Sequence, residues 1–89
     1  MADRSSKTAL ITGASSGMGK AIANRLLEDG YQVFAAARRV DKMQDLAQTG
    51  AIPLRMDISK DEEIVAAVQA ILERSGGVDV LVNSAGFGL

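Results

Sequence analysis

Cysteine and histidine are both absent from this 89-residue chain, and its aromatic residues are one tyrosine and two phenylalanines. With no thiol and no imidazole there is no disulfide, no cysteine nucleophile, no histidine general base and no zinc site of the usual ligand types. Most hydrolytic constellations are thereby excluded. An excess of one charge sign is missing as well. Ten basic and eleven acidic residues leave a formal net charge of −1, which gives no electrostatic footprint for nucleic acid or an anionic membrane. Long apolar runs are lacking too: a stretch such as Val33 to Ala37 falls far short of the roughly 20 residues that span a bilayer. Met1 to Lys7 hold no apolar segment of the kind a secretory signal needs. The expectation is a soluble, cytoplasmic protein with no metal site and with neither nucleic acid nor membrane as partner. The length allows one domain with a single small core and no separate substrate domain.

What is present is an alternation. Short apolar runs at Ala9 to Thr12, Val33 to Ala37, Ile52 to Met56 and Val80 to Val82 read as parallel strands buried on both faces. Between them lie segments of helical period, with apolar stripes Met18, Ile22, Ala23, Leu26, Leu27, then Met43, Leu46, Ala47, then Ile64, Val68, Ile71, Leu72. Gly30, Gly50 and Gly76-Gly77 stand where these helices should stop, and Ser59 with Glu62 predicts a capping box at the third. Strands alternating with helices require right-handed crossovers and a parallel sheet. The fold class is therefore α/β, a Rossmann-like doubly wound sheet of the form β-α-β-α-β-α-β. Strand order 3-2-1-4 is the arrangement that brings the first loop to a nucleotide crevice.

That first loop carries most of the functional information. Thr8-Ala-Leu-Ile-Thr-Gly-Ala-Ser-Ser-Gly-Met-Gly-Lys20 runs from a strand through Gly13, Gly17 and Gly19 into a helix, an order that presents bare backbone N–H groups to a phosphate. Two familiar versions fail. The P-loop needs four residues between its first glycine and the Gly-Lys pair and then Ser or Thr, but here five residues intervene and Ala21 follows. The Gly-x-Gly-x-x-Gly fingerprint would place its third glycine on Ile22.

The spacing actually present, Thr12-Gly13-x-x-x-Gly17-x-Gly19, resembles the cofactor loop of the short-chain dehydrogenase/reductase family. The resemblance implies that Gly13, Ser15, Ser16, Gly17, Met18 and Gly19 line the dinucleotide. It also implies that Asp57, followed by Ile58, accepts a hydrogen bond from the adenine amino group. Read alone, Asp57 is equally a loop or helix-start residue. Asn83-Ser-Ala-Gly86 is similar to the family's Asn-Asn-Ala-Gly, which implies cofactor contact at Asn83, Ala85 and Gly86. Ser84 departs from that pattern and lacks the amide of the second asparagine.

Cofactor choice is read at the end of the second strand. Arg38 lies nineteen residues after Gly19, close to the offset of about 20 at which an acidic residue would bind a ribose 2′-hydroxyl. Here Arg38-Arg39 stands instead, and a guanidinium matches phosphate oxygens. NADP(H) is favoured over NAD(H), with Arg39 assisting Arg38. The plainer reading is that both arginines solvate the turn.

No residue fits the catalytic groups that the resemblance implies, a tyrosine with a lysine four residues on. Tyr31, the sole tyrosine, is followed at that spacing by Ala35 and reads as packing or surface. Residues 1–89 therefore read as a dinucleotide-binding segment that ends before the catalytic half. The parent would be an NADP-dependent oxidoreductase acting on a small-molecule carbonyl or alcohol; the chain alone would be inactive. A non-catalytic dinucleotide-binding or sensing module is the alternative. An open apolar fourth strand predicts self-association or a homo-oligomer.

Overall fold

The computed structural model describes residues 7–15 and 17–83. Its order is β1 (Thr8–Thr12), α1 (Gly17–Glu28), β2 (Gln32–Ala37), a 3-10 turn (Val40–Met43), α2 (Gln44–Gln48), β3 (Ile52–Arg55), α3 (Asp61–Ser75) and β4 (Val80–Asn83). All three strand pairings are parallel, and the sheet order is β3-β2-β1-β4. The expected fold class and strand order are both observed.

Side-chain alternation along the two inner strands divides the core into two layers. Ala9, Ile11, Val33, Ala35 and Ala37 face Met43, Leu46 and the α1 stripe, with Ile22, Leu26, Leu27 and Tyr31 packed against them. Leu10, Phe34 and Ala36 face the opposite way, toward Ala67 and Ile71 of α3. Helices α1 and α2 thus cover one face and α3 the other. Phe34, fully buried, is the largest filler of the α3 side; burial of a side chain of that size stabilises by about 2–3 kcal/mol.

Two helix ends are built alike. Gly30 N–H donates to the Leu27 carbonyl and Tyr31 N–H to the Leu26 carbonyl, both at 3.0 Å, which is the paired bonding of a Schellman motif. Gly30 has φ +91°, a region where a Cβ is strained. Gly50 and Ala51 repeat the pattern on Ala47 and Leu46.

Several expectations need correction. The outer strands are not buried on both faces: β3 and β4 are only half-buried, because among the described residues each has a sheet neighbour on one side alone. Met18 is 55% exposed, since at about 100° per residue it lies roughly 140° round α1 from the buried Ala23. Leu72, at 47% exposure, lies about 100° from Ile71 by the same geometry, so Ala67 takes its place in the core. The second helical segment is a 3-10 turn leading into a short α-helix. The Ser59–Glu62 capping box does not form. Lys60 is the N-cap of α3 and makes no side-chain cap bond, because Ser59 is bonded to Asp57 instead. Asp57 follows β3 by two residues.

Candidate functional site

The register brings the carboxyl ends of all four strands to one edge. Thr12 stands opposite Ala36 in β2 and Asn83 in β4, and Ala37 stands opposite Arg55 in β3. From β1 the chain crosses to β2 over one face, and from β3 it crosses to β4 over the other. The end of β1 is therefore the topological switch point, where a crevice opens in sheets of this kind.

The glycine loop leaves β1 at that point. Gly13, with φ 71°, turns the chain, and Ala14, fully buried, donates its N–H to the Ala36 carbonyl at 3.2 Å. The loop is thereby pinned over β2, with Ser15 partly exposed after it. Ser16 lies outside the described residues. Helix α1 starts at Gly17 and has no acidic residue in its first turn, so the partial positive charge of its free N–H groups is not neutralised from within the helix. A Cβ built on Gly17 meets no atom within 4 Å. No packing among the described residues therefore requires a glycine there, and the space beside the backbone is open. Gly19, in contrast, is buried. Lys20 does not reach toward the loop: its ammonium pairs with Asp45 of α2 at 3.2 Å. That bond holds the Asp45 carboxyl below its ordinary range and agrees with rejecting a P-loop lysine.

Beside the loop, Arg38 and Arg39 emerge from β2. Arg39 is paired with Asp41 at 3.6 Å, whereas Arg38 is exposed and forms no ion pair among the described residues. The two arginines are therefore not equivalent: Arg39 is held in an ion pair and Arg38 is not, among the described residues.

At the end of β3, Met56 N–H donates to the Ala37 carbonyl at 3.0 Å, which sets Asp57 next to the Arg38 turn. The Asp57 Oδ1 accepts from Ser59 N–H at 2.9 Å and from Ser59 Oγ at 2.7 Å. These bonds, followed by the charges of Arg38 and Lys60, hold its carboxyl below the usual aspartate value despite some desolvation. Ile58 presents exposed apolar surface in the same turn. Glu63, which the sequence reading missed, closes the arrangement. Its Oε1 accepts from Asp57 N–H and from the Arg55 guanidinium, each at 2.9 Å. The sequence signal was available: Glu63 is the third residue of α3, the position from which a carboxylate reaches back to a preceding N–H, but Glu62 next to it drew the assignment.

On the other flank, Asn83 Oδ1 accepts from Thr12 Oγ1 at 2.8 Å. Loop, Arg38, Asp57 turn and Asn83 thus share one sheet edge. Ala85 and Gly86 lie outside the described residues. Tyr31 is partly buried against the α1 face of the core, as packing.

The family model for short chain dehydrogenases matches residues 7–88. The chain belongs to that family. Among its relatives, the dehydrogenase/reductase SDR family member 11 of Gallus gallus is 42% identical over 88 residues, which are 90% of this chain and 34% of the relative. An actinorhodin polyketide ketoreductase variant crystallised with NADPH superposes with a TM-score of 0.82 at 42% identity, over 94% of this chain and 34% of the ketoreductase. The 3-ketoacyl-(acyl-carrier-protein) reductase of Brucella melitensis complexed with NADH gives 0.79 at 38% identity, over 84% of this chain and 32% of the reductase. This short-chain dehydrogenase chain thus spans about a third of the length of the relatives it matches. No helix of its described residues is long and apolar enough to cross a membrane.

Proposed function

We propose that residues 1–89 form the NADP(H)-binding segment of an oxidoreductase that interconverts a carbonyl and a secondary alcohol. The bound dinucleotide would supply the hydride chemistry. The residues of this chain bind and orient it. The N–H groups at the start of α1 and the open space at Gly17 receive phosphate, and the Asp57 turn receives the adenine. Asn83 holds the β4 side of the crevice against Thr12.

The observation that carries the NADP(H) choice is Arg38, an exposed guanidinium with no ion pair among the described residues, at the strand end where an acidic residue would select NAD(H). A planar fork there matches the oxygens of a 2′-phosphate. Relatives have been solved with NADPH and with NADH, so family membership supports a dinucleotide and Arg38 supports the phosphorylated one. Because the sequence holds no Tyr-x-x-x-Lys, the segment by itself binds without turning over.

Calorimetric titration of the chain with NADPH and NADH tests this reading. Binding of NADPH at least about tenfold tighter than NADH is expected. Equal binding, or tighter binding of NADH, overturns the cofactor choice. Binding of neither overturns the reading as a whole.

A further inference from the structure

Glu63 accepts a hydrogen bond from the backbone N–H of Asp57, the residue read above as meeting the adenine. One oxygen, Oε1, takes two donors at 2.9 Å, the Asp57 amide and the Arg55 guanidinium. The other, Oε2, lies 4.0 Å from Lys60 Nζ. Arg55 is the last residue of β3, Lys60 the N-cap of α3, and Asp57 lies between them. Glu63 therefore ties strand, turn and helix at one carboxylate, and its side chain is 23% exposed against 59% for Arg55. The Asp57 amide, the Arg55 guanidinium and Lys60 together hold the Glu63 carboxyl below the ordinary glutamate value, so it is an acceptor throughout the neutral range.

The effect on Asp57 is specific. Its Oδ1 is already occupied by the two Ser59 donors, and its Oδ2 accepts no hydrogen bond among the described residues. With the backbone N–H fixed by Glu63 and Oδ1 fixed by Ser59, the direction of Oδ2 is set by protein bonds on both sides. We propose that Glu63 is a positioning residue that aims Asp57 Oδ2 at the exocyclic amino group of the cofactor's adenine. The inference rests on the cofactor reading above and adds a source for its base selectivity. An amino group donates to Oδ2, whereas the carbonyl oxygen of hypoxanthine at the same place can only repel it.

The test compares NADPH with the reduced nicotinamide hypoxanthine dinucleotide phosphate on the 89-residue chain and on Glu63→Ala and Glu63→Gln. The wild-type chain is expected to prefer the adenine form by about tenfold, as for a hydrogen bond to a charged acceptor. In Glu63→Ala that ratio falls to within about twofold of unity, while helicity is retained and exchange of the Asp57 amide accelerates. In Glu63→Gln the side-chain carbonyl still accepts from Asp57 N–H, and most of the ratio survives. An undiminished ratio in Glu63→Ala, or loss of affinity for both nucleotides by the same factor, overturns the positioning role. Equal collapse in Glu63→Gln shifts the effect to charge and overturns the hydrogen-bond account. A wild-type chain that binds both bases equally overturns the adenine role of Asp57, and one that binds neither overturns the cofactor reading itself; both are distinguishable from failure at Glu63.

Discussion

The Thr12 hydroxyl donates to the Asn83 side-chain carbonyl at 2.8 Å, across 71 residues of sequence. The two residues are register partners in β1 and β4, so the bond closes the sheet at the edge where the glycine loop departs. At the opposite end of the same pair, Thr8 N–H donates to Asp79 Oδ2 and Asp79 N–H to the Thr8 carbonyl, both at 2.8 Å. Thr12→Val keeps the shape and removes the hydroxyl. A loss of about 1 kcal/mol is expected for a partly buried side-chain hydrogen bond, read from the urea midpoint at unchanged slope. A midpoint equal to wild type would show that the bond adds nothing to the closure of β4.

Gly17 separates binding from folding. Since a Cβ there meets no atom within 4 Å and φ is not positive, Gly17→Ala should leave the stability unchanged or raise it by up to about 1 kcal/mol, read from the urea midpoint at unchanged slope. NADPH affinity should fall by about tenfold or more, because the methyl group occupies the ligand's space. A variant that loses stability but keeps its affinity would contradict the site.

Arg38→Asp replaces the exposed guanidinium by the acidic group that binds a ribose diol. NADPH binding should weaken by at least about tenfold and NADH binding should improve. Arg39→Asp should do less, since Arg39 is already paired with Asp41. Unchanged preference in the Arg38 variant, measured by titration with both nucleotides, would sink the assignment.

Acid sensitivity follows from three carboxyls. Asp45, Asp57 and Glu63 are each held below their ordinary values of 3.8, 3.8 and 4.5. A depressed folded value means that the contribution is complete above the ordinary value and is lost as pH falls through the folded one. Urea midpoints should therefore stay level, as far as these groups are concerned, down to about pH 5 and fall below about pH 4. Glu63→Gln should flatten the falling limb. A limb as steep in that variant as in wild type would remove Glu63 from the account.

Along the edge of the sheet, β4 leaves Leu81 65% exposed. An apolar outer strand is a template for pairing with another chain, so sedimentation should show concentration-dependent association. Leu81→Lys should suppress it, as charge on an edge does. A wild-type chain that stays monomeric across the concentration range would count against this.

The order of elements, the parallel sheet and the position of the glycine loop were all legible in the chain. They depend on short-range features: apolar period, glycines that stop helices, and a loop whose spacing differs from two rival fingerprints. Gly13, Gly17, Arg38, Asp57 and Asn83 could be placed at one edge for the same reason, since each ends or follows a strand in sequence. Partnership was not legible. That Ser59 would bond Asp57 rather than cap α3, and that Glu63 rather than Glu62 would reach back, depend on where the strand delivers the turn relative to the helix axis.

The amino-acid pattern by itself determined the α/β alternation and which residues stand at the strand ends, because backbone preference and side-chain period act over a few residues. Only the tertiary structure decided that Arg39 is paired with Asp41 while Arg38 forms no ion pair among the described residues. It alone decided that Met18 and Leu72 face outward, and that Thr12 meets Asn83. Those outcomes depend on the register of strands and the rotation of helices, which are set by packing between segments far apart in the chain.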